Sequence, residues 1–159
     1  MKGSESEGGG FWGSVQSGYA IHKLTTARTD AGLTASVEEI GMVCLEGGKA
    51  TFSYDERWMV FHHYVNASGP AADADARDLG FAAASDAGYQ PFRQQGTANV
   101  YLLDLRTGET TRLTRMEPGQ YALFPHFRSD GWIYFVVRTL DGEEYFAATD
   151  AALLAEGQN

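Results

Sequence analysis

The sequence predicts an all-β fold of short antiparallel strands whose sheets are stacked on one another. A hairpin unit occurs twice within residues 50–150, and a recurring unit is a firmer guide to architecture than any single stretch. In addition, the strand expected at 132–137 is apolar on both faces, so it belongs in a sheet that is covered on both sides. Radially packed propeller blades are sheets of this kind. We therefore expect about two antiparallel β-propeller blades, which would form an incomplete propeller.

The two copies of the hairpin unit align when Arg57 is treated as an insertion. The matched pairs are Phe52 with Phe127, Asp55 with Asp130, Trp58 with Trp132, and Phe61 with Phe135. Each copy predicts a short strand that ends at the Phe, a polar turn in which the Asp binds its own backbone, and an aromatic-rich strand that leaves the turn. Glu56 stands where the second copy has Gly131, so the first turn must avoid a positive φ or tolerate strain.

The segment before the first copy has a weaker pattern. Residues 1–10 predict a flexible Gly/Ser/Glu-rich start, without the basic-then-apolar order of a signal peptide. We interpret residues 11–45 as a connector with a partial helix at 35–40. It could also hold the remnant of an earlier blade, because the sequence His22-Lys23-Leu24-Thr25 echoes Thr111-Arg112-Leu113-Thr114.

Residues 46–114 are expected to form one propeller blade. Its later strands are predicted at 99–105 and 110–114, on either side of a turn. Because a blade usually takes roughly 40–50 residues and the two matched Phe positions are farther apart than that, we interpret 66–95 as a long inserted surface loop with a short helix near 72–79.

Residues 115–150 are expected to form a second, partial blade with strands at 132–137 and 144–149. The C-terminal tail, 151–159, predicts a short capped helix that Gly157 ends.

The second copy, read as Phe127-x-Ser129-Asp130-Gly131-x-Ile133-x-Phe135, resembles the repeat of TolB-like (WD40-like) β-propellers, as do Asn99-Val100-Tyr101-x-x-Asp104 and Arg112-Leu113-Thr114. The resemblance implies a non-enzymatic scaffold that binds a protein partner or small ligand, as a portion of a larger periplasmic or otherwise extracytoplasmic bacterial protein. The alternative is the propeller domain of a larger hydrolase of the prolyl-oligopeptidase type, whose catalytic domain is not in this chain. The blade motif maintains turns and packing, so it carries over no catalytic residue.

Net charge and the length of the apolar runs limit the classes of partner that this chain is expected to bind. The formal net charge of −9 disfavours nucleic acid, and the apolar runs are far shorter than the roughly 20 residues that cross a bilayer. A closed propeller takes about four blades or more, so the remaining blades of the same propeller are a second candidate partner. The one cysteine, Cys44, cannot form an internal disulfide and is expected to be a buried thiol.

Candidate chemical groups are few. His62 and His63 are neighbours in a strand and should point to opposite faces, so they cannot hold one metal together, although either could approach His126. The spacing of Asp73, Asp75 and Asp78 imitates a calcium loop but lacks its Gly and terminal Glu, and helix capping or a solvated surface explains it equally well.

The sequence therefore predicts no catalytic, cofactor-binding or metal-binding residue, and motifs of hydrolases and nucleotide-binding proteins do not occur. Tyr121, in the loop 118–121 between the blades, is the candidate residue for contact with a partner. A further interpretation gives the recognition role to the insertion at 66–95.

Overall fold

The computed structural model describes residues 16–65 and 68–156. The predicted flexible start at 1–10 and the predicted helix end at Gly157 lie outside the described residues. The strands are β1 Gln16–Thr29, β2 Gly32–Glu46, β3 Gly48–Phe52, β4 Trp58–Tyr64, β5 Ala98–Asp104, β6 Thr110–Arg112, β7 Gln120–Phe127, β8 Ile133–Thr139 and β9 Glu144–Thr149. The α-helices are α1 Gly69–Asp78, α2 Gln90–Gln95 and α3 Ala151–Glu156, with a 3-10 turn at Ala87–Tyr89. None of the helices in the described ranges has the length and apolar content needed to span a membrane.

The prediction of a connector helix at 35–40 is wrong. β1 and β2 pair antiparallel along their whole length, from Gln16 opposite Glu46 to Thr29 opposite Gly32. They form a long two-stranded hairpin in place of a helix. Gly32, with a φ of 122°, follows the tight turn and takes a backbone shape that other residues rarely adopt. The register shifts once along the hairpin, because Ile21 faces Gly41 whereas His22 faces Glu39. Ile40 is thus the extra residue of a β-bulge.

A second sheet has the strand order β3-β4-β5-β7-β8-β9, with β6 also paired to β5. It consists of two antiparallel meanders, β3–β6 and β7–β9. The two meanders are joined where β5 pairs parallel with β7. This pairing involves a single pair of residues, Ala98 and Tyr121. The prediction of a mostly β fold with antiparallel sheets is thus confirmed, while within the described residues the path from β3 to β9 does not close into a ring.

The main core lies between the two meanders. Its buried members come from both meanders and from α3, namely Trp58, Val60, Val100, Leu102, Ala122, Ile133, Phe135, Val137 and Ala152. Along β8, Ile133, Phe135 and Val137 are buried, whereas Tyr134 and Val136 on the other face are only half-buried. One face of this strand is therefore in the core as predicted, and the second face is covered less completely.

The two predicted hairpin turns have the same backbone hydrogen bond. The Ser53 N–H donates to the Trp58 carbonyl at 2.9 Å in the first turn, and the Arg128 N–H donates to the Trp132 carbonyl at 2.9 Å in the second. Both bonds close the turn at matched positions of the sequence alignment. The repeat found in the sequence is therefore also a repeat of local structure.

The aspartates of the two turns act as predicted on their own backbone. Asp55 Oδ1 accepts from the N–H two residues later at 3.2 Å, and Asp130 Oδ1 does the same at 3.1 Å. Glu56 has a φ of 58° and Gly131 a φ of 83°. The first turn therefore keeps the left-handed conformation and holds a glutamate in it.

The insertion at 66–95 lies between β4 and β5, as predicted, and α1 confirms the short helix expected near 72–79. It also contains the 3-10 turn and α2. Its apolar residues Ala72, Ala76 and Tyr89 are buried. The described part of the insertion, from residue 68 onward, is thus packed onto the body of the protein. α3 confirms the predicted C-terminal helix.

Candidate functional site

A cavity of about 380 Å³ lies where the end of β2 meets β4, β5 and α1. Such a volume is within the usual range for small-ligand sites. Its described lining residues are Cys44, Leu45, Glu46, Phe61, His63, Ala74, Asp75, Asp78, Tyr101, Leu103, Gly108 and Thr110. Three of these residues are acidic and none is Lys or Arg, although Arg112, outside the lining, forms an ion pair with Asp78.

A buried histidine and a buried carboxylate meet in the wall of this cavity. His63 Nε2 lies 2.7 Å from Asp75 Oδ1, and the side chains of both residues are less than a tenth exposed. Strand alternation positions His63, because it turns this side chain toward α1 while its neighbour His62 points to the other face. Asp75 projects from α1 between the buried Ala72 and Ala76.

Glu46, at the end of β2, brings a second carboxylate to the same place. One ligand atom each from Glu46, His63 and Asp75 lie within 4.8 Å of one another. Glu46 is exposed, so the group opens to solvent on this side. Imidazole nitrogen and carboxylate oxygen are both ordinary ligands of divalent metals, and these residues are the ones in the described structure that could hold such an ion.

The cavity wall next to this group is fixed by Asp78. The Tyr101 hydroxyl donates to Asp78 Oδ2 at 2.8 Å, and Arg112 Nη1 donates to the same oxygen at 2.9 Å. Burial, and then the hydrogen bond to Asp78, raise the pKa of Tyr101 above its ordinary value. The Tyr101 ring also meets the His63 ring edge-on, with centroids 5.8 Å apart. Asp78 thus holds Tyr101 in the position from which it packs against the histidine.

His62 lies on the opposite face of β4, which confirms that the two adjacent histidines point apart. Its Nδ1 accepts from the N–H of Phe124 at 3.2 Å. Burial lowers the pKa of His62 to about 4, with smaller contributions from the charges of Lys49 and His63. His126 stacks on Tyr134 at 6.2 Å between ring centroids.

The calcium-like spacing does not produce one cation site in the described structure. Asp73 Oδ1 accepts from the Ala84 N–H at 2.8 Å and so fixes the loop after α1. Asp75 contacts His63, and Asp78 contacts Tyr101. The three carboxylates therefore have three different partners.

Tyr121, predicted to lie in a loop at 118–121, is instead the second residue of β7 and makes internal contacts. Its hydroxyl donates to the carbonyl of Gln95, the last residue of α2. Its ring lies 5.9 Å from that of Tyr64, measured between centroids. Tyr121 therefore joins the insertion to the sheet, and its contact with a partner stays a prediction.

Cys44 is exposed, so the prediction of a buried thiol is wrong. Alternation along β2 explains this, because Leu45 turns into a second buried cluster with Met59, Phe61 and Leu103 while Cys44 faces the other way.

Beyond the cavity, one face of the hairpin carries the exposed apolar side chains of Leu24, Leu33, Val37 and Met42, with the pair His22 and Glu39 between Val37 and Met42. Strand pairing sets Leu24 opposite Val37 and places Leu33 on the same face. Leu24 is 64% exposed, Leu33 76%, Val37 59% and Met42 62%. We call this surface the apolar hairpin face.

The other face of the hairpin is polar near its tip. Lys23 lies opposite Glu38, and Thr25 lies opposite Ser36. Nearer the base, the same face carries Tyr19 and Val43, which pack against the Leu45 cluster. The hairpin is therefore anchored by one face, while the apolar hairpin face is exposed in the part of the chain that the structure describes.

Sequence reasoning missed Glu46 and the apolar hairpin face. No sequence motif surrounds Glu46. It stands out only because the fold places it next to His63 and Asp75, which lie on other elements. The apolar hairpin face does leave a trace in the alternation of Leu33, Ala35 and Val37, which is a strand pattern. Comparisons with models of protein families, with curated proteins and with solved structures found no match to this chain.

Proposed function

We propose that this chain is a non-enzymatic β-propeller-type scaffold, a portion of a larger extracytoplasmic TolB-like protein, that binds a protein partner through the apolar hairpin face. The scaffold role is supported by the two meanders, which have the same turn and contribute side chains to one core. The extracytoplasmic location follows from the resemblance alone.

The residues that carry the resemblance have structural roles in this chain. Asn99 Oδ1 accepts from Thr114 Oγ1 at 3.0 Å and from the Met116 N–H at 2.9 Å. Asp104 Oδ1 accepts from the Arg106 N–H at 2.8 Å within the turn after β5. These side chains hold turns and strands in place, which supports a scaffold in which the motif has no chemical role.

The observation that carries the binding role is the exposure of the apolar hairpin face. A two-stranded hairpin is marginally stable alone, and large apolar side chains grouped on one face of it favour an interface. Among the described residues, β1 and β2 pair with each other alone, so their outer edges present backbone groups to a further strand. The partner that fits is a protein with an apolar β-sheet surface.

Site-specific photocrosslinking tests this function in the full-length product in its own cells. A photoreactive phenylalanine analogue replaces Val37 on the apolar hairpin face, or Ser36 on the polar face as the matched control. We expect one identified protein to crosslink from position 37 and to be absent or much weaker from position 36. Equal yields from both positions, or no crosslinked protein from either, would count against the proposal.

A further inference from the structure

We propose that Glu46, His63 and Asp75 form a binding site for one divalent transition-metal ion, a site that is independent of the apolar hairpin face. The three residues come from β2, β4 and α1, and their ligand atoms lie within 4.8 Å of one another at the wall of the cavity. A histidine and two carboxylates match ions such as Zn²⁺ and Mn²⁺, whereas Ca²⁺ and Mg²⁺ favour sites made of oxygen alone.

The charges in the cavity favour a cation. Glu46 and Asp75 bring two carboxylates close together, and like charges at such a distance destabilise each other. The described lining residues include no Lys or Arg to offset them. A divalent ion would balance the two carboxylates and leave the imidazole as a neutral ligand.

The distances require only a small adjustment. Ligand atoms around a tetrahedral Zn²⁺, with bonds of about 2.0–2.2 Å, lie roughly 3.3–3.6 Å apart. His63 and Asp75, now 2.7 Å apart, must separate slightly to admit the ion. Glu46 is exposed and can move toward them, because its side chain is not packed in a core.

The cavity and the neighbouring side chains suit a site with three protein ligands and one coordination position open to solvent. The cavity leaves room for water as a further ligand, which is the arrangement of zinc sites with three protein ligands. Tyr101 packs edge-on against His63 and is itself held by Asp78, so the imidazole is oriented by its neighbours. Cys44 lines the cavity but is outside the group of close ligand atoms.

Calorimetric titration with Zn²⁺ tests the site in the whole chain. All proteins carry Cys44→Ser, so that the lone thiol cannot bind the metal. Glu46→Gln removes one ligand charge at an exposed position where the fold is not at risk. Glu38→Gln is the matched control, since it makes the same change on the same strand, opposite Lys23 and away from the cavity.

We expect one Zn²⁺ per chain, an affinity about tenfold or more lower in Glu46→Gln, and little change in Glu38→Gln. In parallel, the imidazole nitrogen resonances of His63 should move on addition of Zn²⁺ while those of His126 stay in place. The proposal is overturned if Zn²⁺ binding does not saturate at one ion, if both variants lose affinity equally, or if the His63 resonances do not move.

Discussion

Glu56 and Gly131 occupy matched positions in the two hairpin turns, and both have a left-handed backbone, with φ values of 58° and 83°. Only glycine adopts this conformation without steric cost, and for other residues it costs about 1–2 kcal/mol. The first turn therefore contains local strain that the second turn avoids.

We expect Glu56→Gly to raise the free energy of unfolding by about 0.5–1 kcal/mol, because glycine relieves the strain but loses more chain entropy on folding. Gly131→Ala should lower it by about 1–2 kcal/mol, and the added Cβ would also lie 2.5 Å from Leu153 Cδ2. Urea denaturation followed by tryptophan fluorescence measures both variants. Changes of the same sign would contradict the equivalence of the two turns.

Thr114, two residues after the end of β6, is tied to β5 through a buried hydroxyl. Its Oγ1 accepts from the Val100 N–H at 3.0 Å and donates to Asn99 Oδ1 at 3.0 Å. Thr114→Val keeps the shape but leaves the Val100 N–H without this partner, so we expect a loss of about 1–3 kcal/mol in the free energy of unfolding.

Thr114→Ser is the control, because it keeps the hydroxyl and removes only a methyl group. It should cost about 1 kcal/mol or less. Chemical denaturation of both variants separates the hydrogen bond from packing, and a serine variant as unstable as the valine variant would contradict the role of the hydroxyl.

Acid should destabilise the protein through His62. The pKa of His62 is about 4 in the folded chain and 6.5 as the ordinary value, so the unfolded chain binds its proton first as the pH falls. The stability contributed by neutral His62 is complete above pH 6.5 and is lost progressively between 6.5 and about 4. The loss should reach up to about 3 kcal/mol.

His62→Asn isolates this effect, because the amide oxygen replaces Nδ1 as acceptor for the Phe124 N–H and does not titrate in this range. The comparison is made by urea denaturation at several pH values, in the presence of a metal chelator. Below pH 6.5 the free energy of unfolding should fall more steeply with decreasing pH in the wild type than in His62→Asn. Equal slopes would rule out His62 as the source of the acid sensitivity.

Gly47 joins the hairpin to the second sheet and has no room for a side chain. A Cβ there would lie 2.6 Å from the His62 carbonyl oxygen and 2.5 Å from Phe61 Cδ2. Because a backbone atom cannot move aside cheaply, Gly47→Ala should lower the free energy of unfolding by about 2 kcal/mol or more.

Gly41 offers the matched control on the same hairpin. A Cβ at Gly41 would meet nothing within 4 Å, so Gly41→Ala should change stability by less than about 0.5 kcal/mol. Thermal denaturation of the two variants compares them directly. Similar melting temperatures would show that the hairpin is not held tightly at Gly47.

The repeat made most of the second sheet predictable from sequence. Turn residues such as Asp55, Asp130 and Gly131 act on their own backbone, so their effect is local and can be read without knowing the rest of the fold. For the same reason, the glutamate at position 56 conflicts visibly, in the sequence alone, with the glycine that the turn favours.

The hairpin and the metal-ligand group depend on contacts between distant segments. Residues 35–40 contain Ala and two consecutive Glu, which suit a helix, yet pairing with β1 makes them a strand. Chain position alone suggests His126 as a neighbour for His63, and Asp73 and Asp78 as neighbours for Asp75. Only the packing of α1 against β4 and the end of β2 brings Glu46, His63 and Asp75 together.

The single parallel register position between Ala98 and Tyr121 has a consequence for how the protein opens. Each meander keeps its own hydrogen-bond ladder, and the two are joined by side-chain packing in the shared core and by a few scattered hydrogen bonds, such as that from Thr97 Oγ1 to the Gln120 carbonyl. Solvent could therefore reach the amides of β7–β9 through a partial opening that leaves the ladder of β3–β6 intact. Native-state hydrogen exchange would then resolve two cooperative units in one sheet.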